Sequence, residues 1–166
     1  MITTMRGHVH FPAPRDMVWS KLSDPHVLKQ CIPGCEQLEK SDDDVLRAIA
    51  KMKIGPVSTR FTGRIRLSDL DPPNGYKISG EGEGGIAGFA KGAAILRLSD
   101  KDGGTLLSYK IQTQIGGKLA QCGQRLVNGA AKKLADEFFS SFARTIEAAA
   151  ANPMSSLHAK IVPGLR

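Results

Sequence analysis

The sequence predicts an α+β fold in which one curved antiparallel sheet of about seven strands wraps around a long C-terminal helix. Between Gly117 and Pro153, apolar residues recur every three or four positions, which places them on one face of a helix. Most of the chain before Gly116 instead alternates between apolar and polar residues, a pattern typical of strands with one buried and one solvated face. A sheet of such strands is the natural partner for so long an apolar helix face.

The N-terminal part of the sequence predicts one strand followed by two short helices. Residues 3–11 alternate as a strand, and two prolines end it. Residues 14–22 predict the first helix, and residues 23–28 predict a cap and a second helix with Pro25 at its first helical position. Residues 31–35, with the sequence CIPGC, are predicted to form a turn.

Further strands follow, separated by turn sequences rich in Gly, Pro, Asn and Asp. The alternation assigns them to residues 44–54, 57–67, 76–83, 90–98 and 105–115. An order of one strand, two short helices, about six strands and a long helix is that of the helix-grip fold. Since each assigned strand has one apolar and one polar face, we expect the sheet to be covered on one side only.

The long helix is predicted over residues 118–151, because two glycines precede it and Pro153 cannot continue it. At 1.5 Å per residue such a helix would be about 50 Å long. Its predicted buried face comprises Leu119, Cys122, Leu126, Ala130, Leu134, Phe138, Phe142 and Ile146. Residues 1–151 are therefore predicted to form one helix-grip domain, and residues 152–166 a flexible or docking tail.

The composition is that of an ordinary globular domain, with 23% charged and 41% hydrophobic residues in 166. No apolar run approaches the roughly 18 residues of a membrane span, and the N-terminus lacks the apolar segment of a signal peptide. The odd count of 3 cysteines fits reduced thiols, so we expect a cytoplasmic protein. A formal net charge of +7 favours an acidic protein, an anionic lipid surface or nucleic acid as partner, and simple solubility is the alternative explanation.

The inward face of the middle strands carries small residues where a packed core would carry large ones. These are Gly63, Gly80, Gly82, Ala90, Gly92 and Ala94, and the helix adds Gly123, Gly129 and Ala130 over the same region. Because native interiors are close-packed, either the backbones approach each other closely over these residues or a pocket remains there. The larger apolar residues available to rim a pocket favour the second interpretation.

A pocket of this kind would hold an apolar ligand, with one or two polar groups reaching Tyr76, Tyr109 or Thr113. Spacing in the sequence shows no Ser/His/Asp or Cys/His arrangement, so no catalytic residue is predicted. The predicted ligand-binding residues are Phe61, Ile65, Tyr76, Ile78, Gly80, Phe89, Ala90, Gly92, Leu107, Tyr109, Leu126, Ala130 and Leu134.

Three other motifs are weaker. Residues 80–85 match G-x-G-x-x-G, but no helix follows them and the two glutamates among them would repel a pyrophosphate. Cys31 and Cys35 have no second ligand pair nearby, so no metal site is predicted. The outer sheet face is basic, but aromatic residues make up only 5% of the chain and none interleaves this face, so nucleic-acid binding is not predicted. A solvated face, an acidic protein and a lipid surface remain as explanations.

The sequence resembles the G-subunit family of carbon monoxide dehydrogenase, within the START-like SRPBCC superfamily. The most specific blocks are Cys-Ile-Pro-Gly-Cys at residues 31–35 and Gly-Phe-Ala-Lys-Gly at residues 88–92. Further matching blocks lie at residues 11–19, 53–57, 70–73, 80–85, 117–121 and 135–139. The resemblance implies a helix-grip fold with a hydrophobic cavity between the sheet and the long helix.

The resemblance also implies an accessory role beside a molybdenum hydroxylase of the carbon monoxide dehydrogenase type. It implies a link between that enzyme and the cytoplasmic membrane, made by handling a respiratory quinone, with no covalently bound cofactor. We therefore expect a non-enzymatic module that binds a lipophilic small molecule and contacts an anionic membrane peripherally, on its inner face. The alternatives are a recruitment or assembly factor whose interior is filled by its own side chains, and a small cyclase-like or hydrolase-like enzyme.

Overall fold

The computed structural model describes residues 1–42 and 44–151. Seven strands form one antiparallel sheet in the order β1-β7-β6-β5-β4-β3-β2. They are β1 (Ile2–Phe11), β2 (Cys35–Asp42), β3 (Val45–Ile54), β4 (Val57–Asp71), β5 (Gly75–Glu83), β6 (Phe89–Lys101) and β7 (Gly104–Gly116). The helices are α1 (Arg15–Leu22), α2 (Pro25–Cys31), α3 (Lys118–Gln121) and α4 (Gln124–Ala151), with a 3-10 turn at Gly85–Ala87. The predicted helix-grip fold is confirmed.

The two short helices begin where their caps predict. Helix α1 starts directly after Pro14, whose fixed φ suits the entry to a helix. Before α2, the Asp24 side chain accepts a hydrogen bond of 2.9 Å from the backbone N–H of His26, and Pro25 occupies the first turn, where its missing N–H is not needed. Both helices then pack against the C-terminal half of α4.

Strand β2 is not evident from the sequence. It lies at one edge of the sheet and, among the described strands, pairs with β3 alone, through a register interrupted by two irregularities. Leu38 is its single buried residue, because the rest of the strand is polar or solvent-facing. An edge strand with so little apolar alternation does not stand out as a pattern, whereas the polar edge itself protects the sheet from pairing with another chain.

The prediction of one continuous helix over residues 118–151 is wrong. The helix breaks at Gly123, whose φ of 94° lies in the left-handed region that glycine adopts readily. The break changes which residues face inward: Val127 is 1% exposed, whereas Leu126, predicted to be buried, is 42% exposed. Beyond the break the predicted stripe resumes, and Phe142 and Ile146 are fully buried.

The close-packed core lies at one end of the molecule, where α1, α2 and the second half of α4 meet the sheet. The Phe11 and Phe142 rings meet edge to face there, with centroids 5.2 Å apart. Buried hydrogen bonds from Thr105 Oγ1 to the Ala13 carbonyl (2.7 Å) and from the Tyr76 hydroxyl to the Leu22 carbonyl (2.9 Å) tie the helical segment to the sheet. The largest cluster of buried residues described thus lies under the second half of α4, and a smaller one, which includes Val127 and Leu119, lies at its first half.

In the part of the chain described, no helix is both long enough and apolar enough to cross a membrane. The predicted tail, residues 152–166, lies outside the described residues, which end at Ala151.

Candidate functional site

A cavity of about 410 Å³ lies between the sheet and the first half of α4. Its wall is almost entirely apolar. The floor comes from β3 to β7, and the roof from Leu119 of α3 and from Val127, Ala131 and Leu134 of α4. The remaining inward residues are Ala48, Ala50, Met52, Ile54, Phe61, Gly63, Ile65, Ile78, Gly80, Gly82, Ala90, Gly92, Ala94, Ile111, Thr113 and Ile115.

The floor is open because strand register brings the small residues together. Residues directly opposite one another on neighbouring strands lie side by side on the same face of the sheet. One such row crosses β7, β6 and β5 through Thr113, Gly92 and Gly80, and the next crosses β6, β5 and β4 through Ala90, Gly82 and Gly63. Apart from Thr113, these two adjoining rows contribute almost no side-chain volume. The side chains of α4 do not fill the space above them.

The floor glycines have two different causes. At Gly80 and Gly82 an added Cβ would find its nearest neighbours at 3.4 and 3.7 Å, an ordinary contact, so the backbone does not require glycine there. At Gly63 a Cβ would overlap the Glu81 carbonyl, and at Gly92 it would lie 2.7 Å from the Gln112 carbonyl. Gly63 and Gly92 are therefore explained by the close approach of neighbouring strands, not of the sheet and the helix. At Gly80 and Gly82 the absence of a side chain leaves space in the cavity.

Seven of the predicted ligand-binding residues line the cavity. They are Phe61, Ile65, Ile78, Gly80, Ala90, Gly92 and Leu134. They come together because their strands are neighbours in the sheet and the inward positions are in register. Whether they bind a ligand stays a prediction.

Three of the other predicted residues face inward but lie in the packed core. Tyr76 and Tyr109 belong to a cross-strand row beyond the cavity, together with Leu96. The Tyr109 ring stacks on Phe139 with centroids 5.0 Å apart. Leu107 is fully buried in the same core. The sequence places these side chains on the correct face, but the position along the strand puts them under the well-packed half of α4.

The last three predicted residues also lie off the cavity wall. Phe89 alternates with the inward Ala90, so it lies on the opposite sheet face and is 40% exposed. Leu126 is turned outward by the break at Gly123, and its Cδ2 lies over Gly55 in the β3–β4 turn. Ala130 packs beside the roof without lining the cavity.

The prediction that the two helix glycines lie over the cavity is wrong. Gly123 forms the break between α3 and α4, and Gly129 is exposed on the far side of α4. There Gly129 lines a separate polar cleft of about 1000 Å³ between α2, the turn at residues 31–35 and α4. Ion pairs within α4 flank that cleft, with Lys132 Nζ 2.7 Å from Asp136 Oδ2.

The cavity provides little polar chemistry. Arg64, Glu81 and Lys91 alternate with inward-facing residues, so their side chains are exposed on the other face of the sheet. These three residues contribute mainly backbone atoms to the cavity wall. Burial raises the pKa of the Tyr76 hydroxyl, which donates a hydrogen bond to the Leu22 carbonyl and stays un-ionised at neutral pH. Thr113 Oγ1 is the buried polar side-chain atom on the cavity wall that has no hydrogen-bond partner among the described residues.

The cysteines and other candidate metal ligands do not converge. Within residues 1–42 and 44–151, no three His, Cys, Asp or Glu side chains are grouped as a metal site would require. Burial raises the pKa of the Cys31 and Cys35 thiols, so both stay protonated at neutral pH rather than acting as thiolates. The site therefore offers shape and apolar surface rather than acid–base groups.

Comparison with solved structures shows how widely this architecture is shared. A conserved protein from Geobacillus kaustophilus is 34% identical, with a TM-score of 0.84 over 89% of this chain and 97% of that one. The structure of Ara h 8.0201 is 15% identical, with a TM-score of 0.66 over 89% and 99% of the two chains. The Zhui aromatase/cyclase from Streptomyces sp. R1128 is 14% identical, with a TM-score of 0.65 over 90% and 96%. The last two likenesses concern the fold alone.

Among curated proteins, none matches the sequence. The family model for CoxG, the G subunit of carbon monoxide dehydrogenase, matches residues 7–147, which include every strand from β2 to β7 and most of α4. This match covers far more than half of the chain, and it agrees with the blocks that carry the resemblance in the sequence. The chain belongs to the CoxG family of carbon monoxide dehydrogenase G subunits.

Proposed function

We propose that this chain is a non-enzymatic carrier that binds a lipophilic molecule, a respiratory quinone, in the cavity under α4. It would thereby link a molybdenum hydroxylase of the carbon monoxide dehydrogenase type to the cytoplasmic membrane. The observation that carries the proposal is the apolar cavity of about 410 Å³ between the sheet and α4. The family membership supports the choice of enzyme partner.

The size and lining of the cavity suit part of a quinone. Pockets that bind small molecules typically measure about 300–1,000 Å³ and are mostly apolar, with few polar groups. A cavity near the lower end of that range holds a ring system and a short length of tail, so a long prenyl tail would extend outside. Burial of apolar surface, at roughly 25 cal/mol per Å², would supply most of the binding free energy.

The exposed face of the sheet supports contact with an anionic membrane. Arg47 and Arg64 are directly opposite one another on β3 and β4, and Arg66 lies two residues further along. Glu39 and Glu81 flank the Arg47–Arg64 pair in the same cross-strand row and offset its repulsion. Arg66 instead lies between Val45 and Ser79, so its charge is available to an anionic surface. The proposal places the protein in the cytoplasm, bound peripherally to the inner face of the membrane.

Quinone binding is tested by titrating the purified protein with a short-chain quinone in a calorimeter, after organic extraction and mass spectrometry of any co-purified lipid. We expect saturable binding with about one site per chain. The Ala131→Phe variant places a ring in the cavity from the helix side and should abolish this binding. The matched control, Ala150→Phe, makes the same change at an exposed position of α4 and should bind as the original chain does.

The same experiment separates the carrier from its rival. If the original chain binds no quinone and carries no lipid, the carrier proposal fails and a recruitment factor without ligand remains. If quinone binds equally well to Ala131→Phe, the site is elsewhere on the molecule. Gly92 is a less suitable position for filling the cavity, because a side chain there would first collide with the β7 backbone.

A further inference from the structure

The hydroxyl of Thr113 occupies an unusual position in the cavity wall. Thr113 lies on β7, opposite Thr3 of β1 and Gly92 of β6. Its Oγ1 is buried and has no hydrogen-bond partner among the described residues. Nearly all buried polar groups in native proteins are paired, and an unpaired one costs about 1–3 kcal/mol. The hydroxyl therefore calls for an explanation.

Neighbouring polar groups already have partners. Thr3 Oγ1 donates to Asn128 Oδ1 on α4, and Gln124 Nε2 donates to the same oxygen at 2.9 Å. The Tyr76 hydroxyl donates to the Leu22 carbonyl, outside the cavity. Of the three side chains expected to meet the polar group of a ligand, Thr113 is thus the one that both lines the cavity and has an unused hydroxyl.

The surroundings of Thr113 leave room for a flat group beside its side chain. Thr113 shares its cross-strand row with Gly92 and Gly80, which present only backbone to the cavity. The next row continues this bare surface through Ala90 and Gly82. The Thr113 Cγ2 methyl faces Gly92, 2.8 Å from where a Cβ there would lie, so rotation about χ1 would exchange methyl and hydroxyl and bring Oγ1 to the edge of a planar ring lying on these two rows.

We propose that Thr113 determines ligand specificity: its hydroxyl donates a hydrogen bond to a carbonyl oxygen on an otherwise apolar ring. This inference rests on the proposed carrier function and names the recognition chemistry of the same cavity. The ligand class is a ring ketone or quinone rather than a pure hydrocarbon. A site that satisfies a buried hydroxyl discriminates against analogues without the matching group, because binding them leaves the hydroxyl unpaired.

The test compares two probes of nearly equal shape, 2,3-dimethyl-1,4-naphthoquinone and 2,3-dimethylnaphthalene. The fully substituted quinone avoids addition to the free thiols. Calorimetric affinities are measured for the original chain, for Thr113→Val, which is isosteric but has no hydroxyl, and for Thr113→Ser, which retains one. We expect Thr113→Val to weaken quinone binding about tenfold, to leave hydrocarbon binding unchanged, and to be at least as thermostable as the original chain. Thr113→Ser should keep most of the preference for the quinone.

A spectroscopic measurement reports the hydrogen bond itself. The infrared C=O stretching band of the bound quinone should move to lower frequency in the original chain and in Thr113→Ser, but not in Thr113→Val. The role of Thr113 would be overturned if Thr113→Val lost affinity for both probes equally, or if the C=O band had the same frequency in Thr113→Val as in the original chain. The carrier function would stand in either case. If the original chain binds neither probe, the carrier function fails and the role of Thr113 fails with it.

Discussion

Gly63 and Gly82 lie directly opposite one another on β4 and β5, yet only Gly82 has room for a side chain. A Cβ at Gly82 would lie 3.7 Å from Phe61 Cβ, whereas one at Gly63 would overlap the Glu81 carbonyl. Neither glycine has a positive φ, so the difference is one of space and not of backbone conformation. The lack of space therefore requires glycine at position 63, whereas glycine at position 82 leaves room in the cavity that a side chain could occupy.

This difference predicts opposite effects of the same substitution. Gly63→Ala forces two paired strands apart and should lower the free energy of unfolding by about 1–3 kcal/mol, the usual cost of overpacking. Gly82→Ala adds a methyl group at an ordinary contact distance and restricts the unfolded chain, so it should leave stability unchanged or raise it by up to about 1 kcal/mol. Urea denaturation of both variants measures the difference. Equal destabilisation would show that the floor is packed at both positions.

The break at Gly123 leads to a second prediction, about two neighbouring residues. Val127→Ala removes two buried methyl groups at a 1% exposed position and should cost about 2 kcal/mol, from roughly 0.8 kcal/mol per buried carbon plus the space left behind. Leu126→Ala removes more carbon atoms but at a 42% exposed position, so it should cost no more than about 0.5 kcal/mol. Thermal denaturation compares the two. A larger loss at Leu126 would mean that α3 and α4 form one continuous helix.

Much of the fold is predictable from the sequence, because strand alternation, turn residues and helix caps are local signals. The failures are those that depend on tertiary context. Strand β2 is recognisable only from its partner β3, since Leu38 alone among its residues is buried. A glycine at position 123 is unfavourable inside a helix, but its left-handed φ follows from the way α3 and α4 meet the sheet.

The site is predictable to the level of the sheet face but not to the level of the residue. Alternation places Tyr109 and Thr113 on the same inward face of β7, four residues apart. Only the packing of α4 decides that Tyr109 lies in the core, against Phe139, and that Thr113 lies in the cavity. The same limit explains why Ala48 and Ala50 of β3 are absent from the predicted binding residues although alternation gives their inward orientation.

Tyr76 provides a prediction about pH dependence. Burial raises the pKa of its hydroxyl above the ordinary value of about 10. Above that pH the unfolded chain loses the tyrosine proton while the folded chain retains it, so the unfolded state binds fewer protons and stability falls as pH rises. The Tyr76→Phe variant removes this contribution and should show a smaller loss of stability between about pH 10 and 11 than the original chain.

At neutral pH the same variant should be less stable, because the Leu22 carbonyl loses its buried donor at a cost of about 1–3 kcal/mol. Chemical denaturation at neutral and at alkaline pH measures both effects. If the free energy of unfolding changed with pH in the same way in the two proteins, the Tyr76 hydroxyl would be exposed to solvent in the native state.

The last prediction concerns the basic outer face of the sheet, defined by Arg47, Arg64 and Arg66. If this face contacts the membrane, binding to vesicles should increase with their content of anionic lipid and decrease with salt. Replacing Arg64 and Arg66 by Gln should weaken binding roughly fivefold per residue, from about 1 kcal/mol per charge. The measurement is co-sedimentation with phosphatidylcholine vesicles that contain increasing amounts of phosphatidylserine.

A control with the same net charge distinguishes this face from the charge of the whole molecule. Arg125 and Arg144 are exposed on α4, which covers the opposite side of the sheet, and their replacement by Gln removes the same two charges. If the outer face is the contact surface, this control should bind nearly as well as the original chain, because charges held away from the vesicle are screened within about 10 Å. Equal weakening in the two double variants would mean that net charge alone attracts the protein, and the outer face would then have no specific role in membrane binding.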